Sequence, residues 1–276
     1  MTLLSAATLS APAARPLFVP PPVVLSKLHL SPPAPRTRAP CSWIPPAHCR
    51  PSCSPRSAGT RALRLIMATV IGVVGCTGTG KSTLCDALEK QLKERERVVC
   101  VIHTDDYFRE EEGCPTLDLE SLNWAGGTVP DALSSKTRDT NCPEAVEWDG
   151  VRAAVSQAAA TAGQGVVLVE GFLVLCDGPV REMLDAVVML EFKGGRDAEE
   201  EVIRRKWTRR HLGKLSYEER GVSFADYCVY WDGYVHLRFT EYAAKGTPPP
   251  GKPVVSLDAL LPPPELAVQV QQRLSL

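Results

Sequence analysis

The chain has 276 residues, with 31 Lys and Arg against 32 Asp and Glu, a formal net charge of −1 and 44% hydrophobic residues. The charge is unevenly spread: residues 1–67 hold eight Lys and Arg, thirteen of the 24 prolines and eight serines, and the first acid is Asp86. The remaining 209 residues carry a formal charge of −9, which excludes a broad nucleic-acid-binding surface and leaves small anionic substrates to a local basic cluster.

Residues 1–67 are expected to be a disordered leader of transit-peptide type, basic, Ser-rich and too poor in periodic apolar residues to offset the ordering of its backbone. Its Leu and Val patches at 17–30 are broken by Pro20, Pro21 and Pro22, so neither a membrane span nor an uninterrupted signal-peptide core fits. Plastid import is the first expectation. Mitochondrial import, or a cytoplasmic protein translated from Met67, are the alternatives. Residues 68–276 have the length of one α/β domain with a single core.

Along that domain, apolar runs alternate with amphipathic stretches. The pattern predicts strands over 69–74, 98–103, 166–169, 186–191 and 254–257. Helices are predicted over 81–96, 151–162, near 180–185, and over 197–211, 230–245 and 264–274. Such alternation implies a parallel sheet with helices on both faces, whose ligands gather at the carboxyl ends of the strands. Residues 109–141 show little periodicity and read as a long loop over the site with a short helix near Leu119. The ten cysteines include three in the leader, Cys41, Cys49 and Cys53. The other seven lie singly without C-x-x-C spacing, which predicts reduced thiols and neither a zinc site nor a disulfide scaffold.

The densest signal is Gly75, Cys76, Thr77, Gly78, Thr79, Gly80, Lys81, Ser82, which spells G-x-x-x-x-G-K-[ST] between a predicted strand and a predicted helix. In that setting the glycines let backbone N–H groups approach phosphates and the helix N-terminus adds partial positive charge. Lys81 then reaches the β- and γ-phosphates, and the Ser82 hydroxyl suits Mg²⁺. Thr77, Thr79 and Thr83 complete the predicted nucleotide contacts, so ATP and Mg²⁺ are the expected cofactors.

Asp105 and Asp106 follow the next strand end, where one carboxylate within reach of an acceptor hydroxyl serves phosphoryl transfer; Asp105 is the general-base candidate, with a helix cap or turn aspartate as the competing reading. Four apolar residues ending in Glu170 form a Walker-B-like strand end beside the metal. The basic stretch from Arg204 to His211 offers cations that close over transferring phosphates. Glu199, Glu200 and Glu201 equally suit i,i+4 pairing on a solvated face. Trp148 and Asp149 suit stacking on a flat base and holding ribose hydroxyls, and they suit a core aromatic followed by an N-cap at least as well.

Taken together, GCTGTGKST, TDDYF, CPEAVEWD, VEGFLVL and RRKWTRR resemble the nicotinamide riboside kinases, within the uridine-kinase-like branch of P-loop nucleoside kinases. The resemblance runs from about Val70 to Lys245. It implies a P-loop NTPase fold of nucleoside-kinase type with a helical lid, and ATP-dependent phosphorylation of the 5′-hydroxyl of a riboside, nicotinamide riboside first. Uridine/cytidine kinase is the alternative and phosphoribulokinase a more distant one.

By that resemblance Lys81, Asp105 and Glu170 are catalytic, and Ser82, Asp105 and Glu170 surround the metal. Asp106, Tyr107, Trp148 and Asp149 line the riboside site, Arg205 and Arg209 take lid positions for phosphate, and Lys206 and His211 stand where the family uses an arginine and a second aromatic. Residues 109–141 form an insertion outside the pattern. The partner implied is a small riboside, with neither nucleic acid nor membrane. A nucleotide-binding switch is disfavoured by the lack of an N-K-x-D segment, and an inactive scaffold by intact Lys81, Asp105 and Glu170.

Overall fold

The structure, a computed structural model, describes residues 68–110, 113–210 and 214–276. The leader and the candidate base-stacking residue His211 lie outside the described residues. Among these, β1 (Thr69–Gly75), β2 (Val99–His103), β3 (Val166–Glu170), β4 (Ala186–Glu191) and β5 (Val254–Asp258) pair in parallel in the order β2-β3-β1-β4-β5. This is the expected P-loop NTPase sheet. The helices are α1 (Lys81–Lys93), α2 (Asp131–Ser134), α3 (Trp148–Thr161), α4 (Gly178–Met183), α5 (Gly195–Thr208), α6 (Phe224–Tyr230), α7 (His236–Lys245) and α8 (Pro263–Leu274).

The strands are apolar on both faces because both faces are covered. Ile71 and Val73 of β1, Val166 and Leu168 of β3, and Val188 and Leu190 of β4 join Leu84 and Leu88 of α1 and Leu266 and Val270 of α8 in one layer. The alternate residues Val70, Val74, Val167, Val169 and Val187 join Val151 and Val155 of α3 and Val180 of α4 in the other. The period of two along each strand thus sorts the side chains into two cores. Burial of this many branched side chains is the main stabilising contribution, at about 1.5–3 kcal/mol for each one fully buried.

A third, aromatic cluster lies outside the sheet. Trp231, Tyr227, Tyr230 and Tyr234 pack with Val202 and Ile203 of α5, and residues 109–141 add Trp124 and Leu133 to it. That segment is therefore no free loop. It contains α2 rather than a helix near Leu119, where the chain only turns. Buried Asp139 fastens it, accepting from Tyr234 Oη at 2.9 Å and pairing with Arg238 Nε at 2.8 Å.

Three predicted boundaries also move. Helix α3 starts at Trp148 rather than 151, because the Glu147 N–H is tied to the Tyr107 carbonyl at 2.8 Å and the Glu147 carbonyl accepts from Gly150 at 3.0 Å. Asp149 is therefore inside the first turn, where its charge suits the helix dipole, and is not the N-cap. Helix α5 ends at Thr208, leaving Arg209 extended at φ −78° and ψ 126°. The helix predicted over 230–245 begins at Phe224 and passes through a π-helical turn, Trp231–Val235, before α7.

Candidate active site

The β1-to-α1 turn forms a cradle. Gly78 and Gly80 take φ values of 79° and 87°, which a side chain would strain, and Gly80 hands the chain to α1 with no side chain over the helix N-terminus. The Cys76 carbonyl organises the loop from inside, accepting from Thr79 Oγ1 at 2.7 Å and from Lys81 Nζ at 3.1 Å. Thr79 is buried and so braces the loop, whereas Thr77 is half-buried and Ser82 and Thr83 are exposed. Gly75 is buried at the end of β1. Burial pushes the Cys76 thiol up to about 12, with Lys81 pulling the other way, so this cysteine is an inert filler at neutral pH.

Sheet order brings the acids to the cradle. Because β3 lies between β1 and β2, Glu170 emerges beside the loop and directly opposite His103 in the β2–β3 register. The Glu170 Oε1 accepts from Ser82 Oγ at 2.8 Å and sits 2.6 Å from His103 Nδ1. Burial favours the neutral acid, but the bonds from His103 and Ser82 and the charge of Lys81 outweigh it and hold Glu170 below the usual carboxylate range. Its hydrogen bond to Glu170 in turn raises the His103 imidazole above its ordinary value, against the opposing effect of burial.

Gly171 follows directly, and a Cβ there would lie 1.9 Å from Thr104 Oγ1. That close approach brings the 3₁₀ turn Thr104–Tyr107 hard against the end of β3 and sets the direction of Asp105. Asp105 is partly open to solvent, yet nearby protein atoms strip enough hydration to raise its carboxyl, against the pull of Lys81 and with a push from Glu170. Lys206 and His103 also lower it. Asp106 is exposed and contributes to raising His103.

A cleft runs from Gly78, Thr79, Gly80 and Thr83 past Arg205, Lys206 and Arg209 to Ala259, Leu261, Pro263 and Leu266. One end is cationic and amide-rich; the other, from the β5–α8 turn, is apolar and suits a flat base. Sequence reading missed that apolar end, because nothing local marks residues 259–266 as near residue 80. It also missed His103, whose signal is its place opposite Glu170 at the ends of adjacent strands.

The basic stretch divides. Arg204 pairs with Glu200 at 3.0 Å and Arg205 with Glu201 at 2.9 Å, the i,i+4 pairs of a solvated face, although Arg205 still borders the cleft. Lys206 turns inward, and burial, then Arg209 and Lys81, hold its ammonium below the ordinary lysine range. Trp148 is half-buried among the α3-side core, its Nε1 donating to the Pro143 carbonyl at 2.8 Å, near Tyr107, whose ring meets Gly150. The Asp149 side chain, expected to hold ribose hydroxyls, is 95% exposed and paired with Arg152 at 2.7 Å.

The Glu170 carboxylate and the Ser82 hydroxyl are hard oxygens suited to Mg²⁺, which takes one or two carboxylates together with substrate phosphates, while the His103 imidazole at 2.6 Å holds Glu170 from the other side. Among the described residues no group of three or more His, Cys, Asp or Glu is arranged to hold a metal ion by itself. The residues therefore fit an ion that arrives with a nucleotide better than one held by protein alone. The seven cysteines of the described residues stand outside any disulfide, and no helix of the described residues is long and apolar enough to cross a membrane.

No protein-family model matches the chain. It is similar to a uridine kinase of Clostridium botulinum (strain Okra / Type B1), with 27% identity over 145 residues, 49% of this chain and 66% of the relative. The chain thus spans just under two thirds of that relative's length. A uridine kinase of Alkaliphilus metalliredigens (strain QYMF) is 25% identical over 204 residues, 69% of this chain and 92% of the relative. Among solved structures, a sugar kinase from Janibacter sp. HTCC2649 aligns with 75% of this chain and 95% of its own at 14% identity and a TM-score of 0.42.

Proposed function

We propose that the protein is a nucleoside kinase that transfers the γ-phosphoryl group of ATP to the 5′-hydroxyl of a riboside. The observation that carries this reading is the hydrogen bond by which Ser82, next to Lys81 in the cradle, joins Glu170 at the end of the adjacent strand β3, with Asp105 just past the end of β2. Phosphoryl transfer asks mainly for positioning and charge neutralisation, which this set supplies. The P-loop amides and Lys81 hold the β- and γ-phosphates, and the apolar end of the cleft takes the base of the donor. Ser82, Glu170 and Asp105 would hold Mg²⁺, whose chemistry is to neutralise phosphate charge. Asp105 accepts the proton of the attacking hydroxyl, and its raised affinity for protons brings it closer to that task. Lys206 and Arg209 close over the transferring group and exclude water.

For the acceptor, a pyrimidine riboside is the first reading, supported by the similarity to uridine kinases. Nicotinamide riboside is the second reading, favoured by the presence of Tyr107 and Trp148 against one core cluster, with Asp149 next in the chain. A coupled assay of ADP release with uridine, cytidine and nicotinamide riboside, each with ATP and Mg²⁺, tests both. Highest kcat/KM on uridine or cytidine supports the first reading, highest on nicotinamide riboside the second, and no turnover on any riboside overturns the function. The basic, acid-free leader is proposed as an import signal, plastid before mitochondrion.

A further inference from the structure

The phosphate cradle rests on more than the sheet. Cys76, whose carbonyl holds Thr79 and Lys81, belongs to the same buried cluster as Val202, Ile203 and Trp231, so α5 and the aromatic residues behind it support the loop. The contact is tightest at Gly78. A Cβ there would lie 3.0 Å from Val202 Cγ1 and 3.8 Å from Lys206 Cβ, so the loop backbone meets one face of α5 directly. Glu199, Val202 and Lys206 share that face, three and four residues apart.

Glu199 is 6% exposed, and a carboxylate at that depth depends on its partners. Its Oε1 accepts from Trp231 Nε1 at 2.8 Å and meets His236 Nδ1, while its Oε2 accepts from Arg196 at 3.0 Å. Burial works against its charge, yet the bonds from Trp231 and His236 hold it below the usual carboxylate range. An ionised carboxylate only accepts, so the shared proton belongs to His236 Nδ1. The partners are fixed in turn. Arg196 forks onto Asp232 at 2.7 and 2.8 Å, and the His236 ring lies 6.4 Å from that of Phe192 and 6.5 Å from that of Phe239.

The π turn explains why two residues reach one oxygen. In an α-helix, side chains five residues apart point about 140° away from each other. Here the His236 N–H donates to the Trp231 carbonyl, an i→i+5 bond that widens the turn and brings both side chains toward α5. The charge they hold also acts on the loop, since Glu199 is among the groups that raise the Cys76 thiol.

We propose that Glu199 is a positioning residue for nucleotide binding: clasped by Trp231 and His236 across the π turn, it holds the Val202–Lys206 face of α5 against Gly78 and so sets the phosphate cradle. An apolar pair would join the two helices at a lower desolvation cost, whereas a carboxylate with three donors fixes one register of α5. The inference rests on the reading of this loop as a nucleotide cradle and does not depend on which riboside is phosphorylated.

The test is calorimetric titration of a non-hydrolysable ATP analogue with Mg²⁺ into the full chain and its variants, at a temperature where thermal unfolding shows each one folded. Glu199→Gln should weaken binding by roughly three- to thirtyfold, the range for a residue that acts on a site through packing. His236→Leu, which removes the donor, should do the same, and His236→Gln, which keeps one, should bind as the wild type does. Should Glu199→Gln not fold, the two His236 variants carry the test. Asp185→Ala is the control for stability, because Asp185 accepts from the Val70 N–H at 3.0 Å and pairs with Lys252 at 3.2 Å at the opposite end of the sheet. It should lower Tm and leave the affinity unchanged. Wild-type affinity in folded Glu199→Gln or His236→Leu, or an equal loss in Asp185→Ala, overturns the positioning role alone. Failure of the wild type to bind the analogue overturns the kinase reading and this inference with it.

Discussion

Asp105 stands at the point where the local chain and the distant chain meet. Its direction is set by Thr104, which nests against Gly171 at the end of a neighbouring strand, and its charge is contested by Lys81 on one side and Glu170 on the other. A neutral amide of the same shape keeps the packing and removes the proton acceptor. Asp105→Asn is therefore expected to keep ATP affinity while lowering kcat by roughly a hundredfold or more, the usual scale for losing a general base. Nucleotide titration and steady-state kinetics on the same sample check both halves. Retained turnover would move the base role to Asp106.

Among elements, the lid helix α5 is tethered to the helical turn opposite. Buried Glu199 accepts from Trp231 Nε1 at 2.8 Å and from Arg196 at 3.0 Å, and meets His236 Nδ1. The π turn from Trp231 to Val235 is what aims Trp231 at this carboxylate. Burial opposes ionisation of Glu199, but the bonds from Trp231 and His236 and the charges of His236 and Arg196 prevail, so its acid strength is increased from an ordinary value of 4.5. A group acidified by folding stabilises the native state above its unfolded pKa, and that stabilisation is lost as pH falls through the lower folded value. Glu199→Gln is therefore expected to lower Tm at neutral pH. It should also flatten the decline in Tm that the wild type shows on acidification below 4.5. Thermal unfolding at a series of pH values measures both, and parallel curves for the two proteins would contradict the assignment.

At the scale of the whole molecule, the chain divides by charge. Residues 1–67 hold eight Lys and Arg and no acid, whereas residues 68–276 carry a formal charge of −9 and contain the P-loop, the acids and the basic stretch of α5. A protein beginning at Met67 is expected to keep the Tm and riboside turnover of the full chain, with the leader needed only for targeting. Matched thermal unfolding and kinetics on the two chains check this, and loss of turnover on truncation would give the leader a part in the domain. Fusion of residues 1–67 to a fluorescent protein checks the compartment.

The alternating valines and leucines of the strands, and the spacing from Gly75 to Ser82, were readable without coordinates because both signals are local. A strand's pleat repeats every two residues, and a phosphate cradle is built from eight consecutive positions. The neighbours of those elements were not. Glu170 faces His103 only through strand register, and the apolar end of the cleft comes from the β5–α8 turn. Residues 109–141 looked structureless because the contacts that hold them, Asp139 with Tyr234 and Arg238, lie about a hundred residues downstream. Periodicity reports which side of an element is apolar; which other element covers it depends on long-range packing and charge, and these emerge only when the chain is folded.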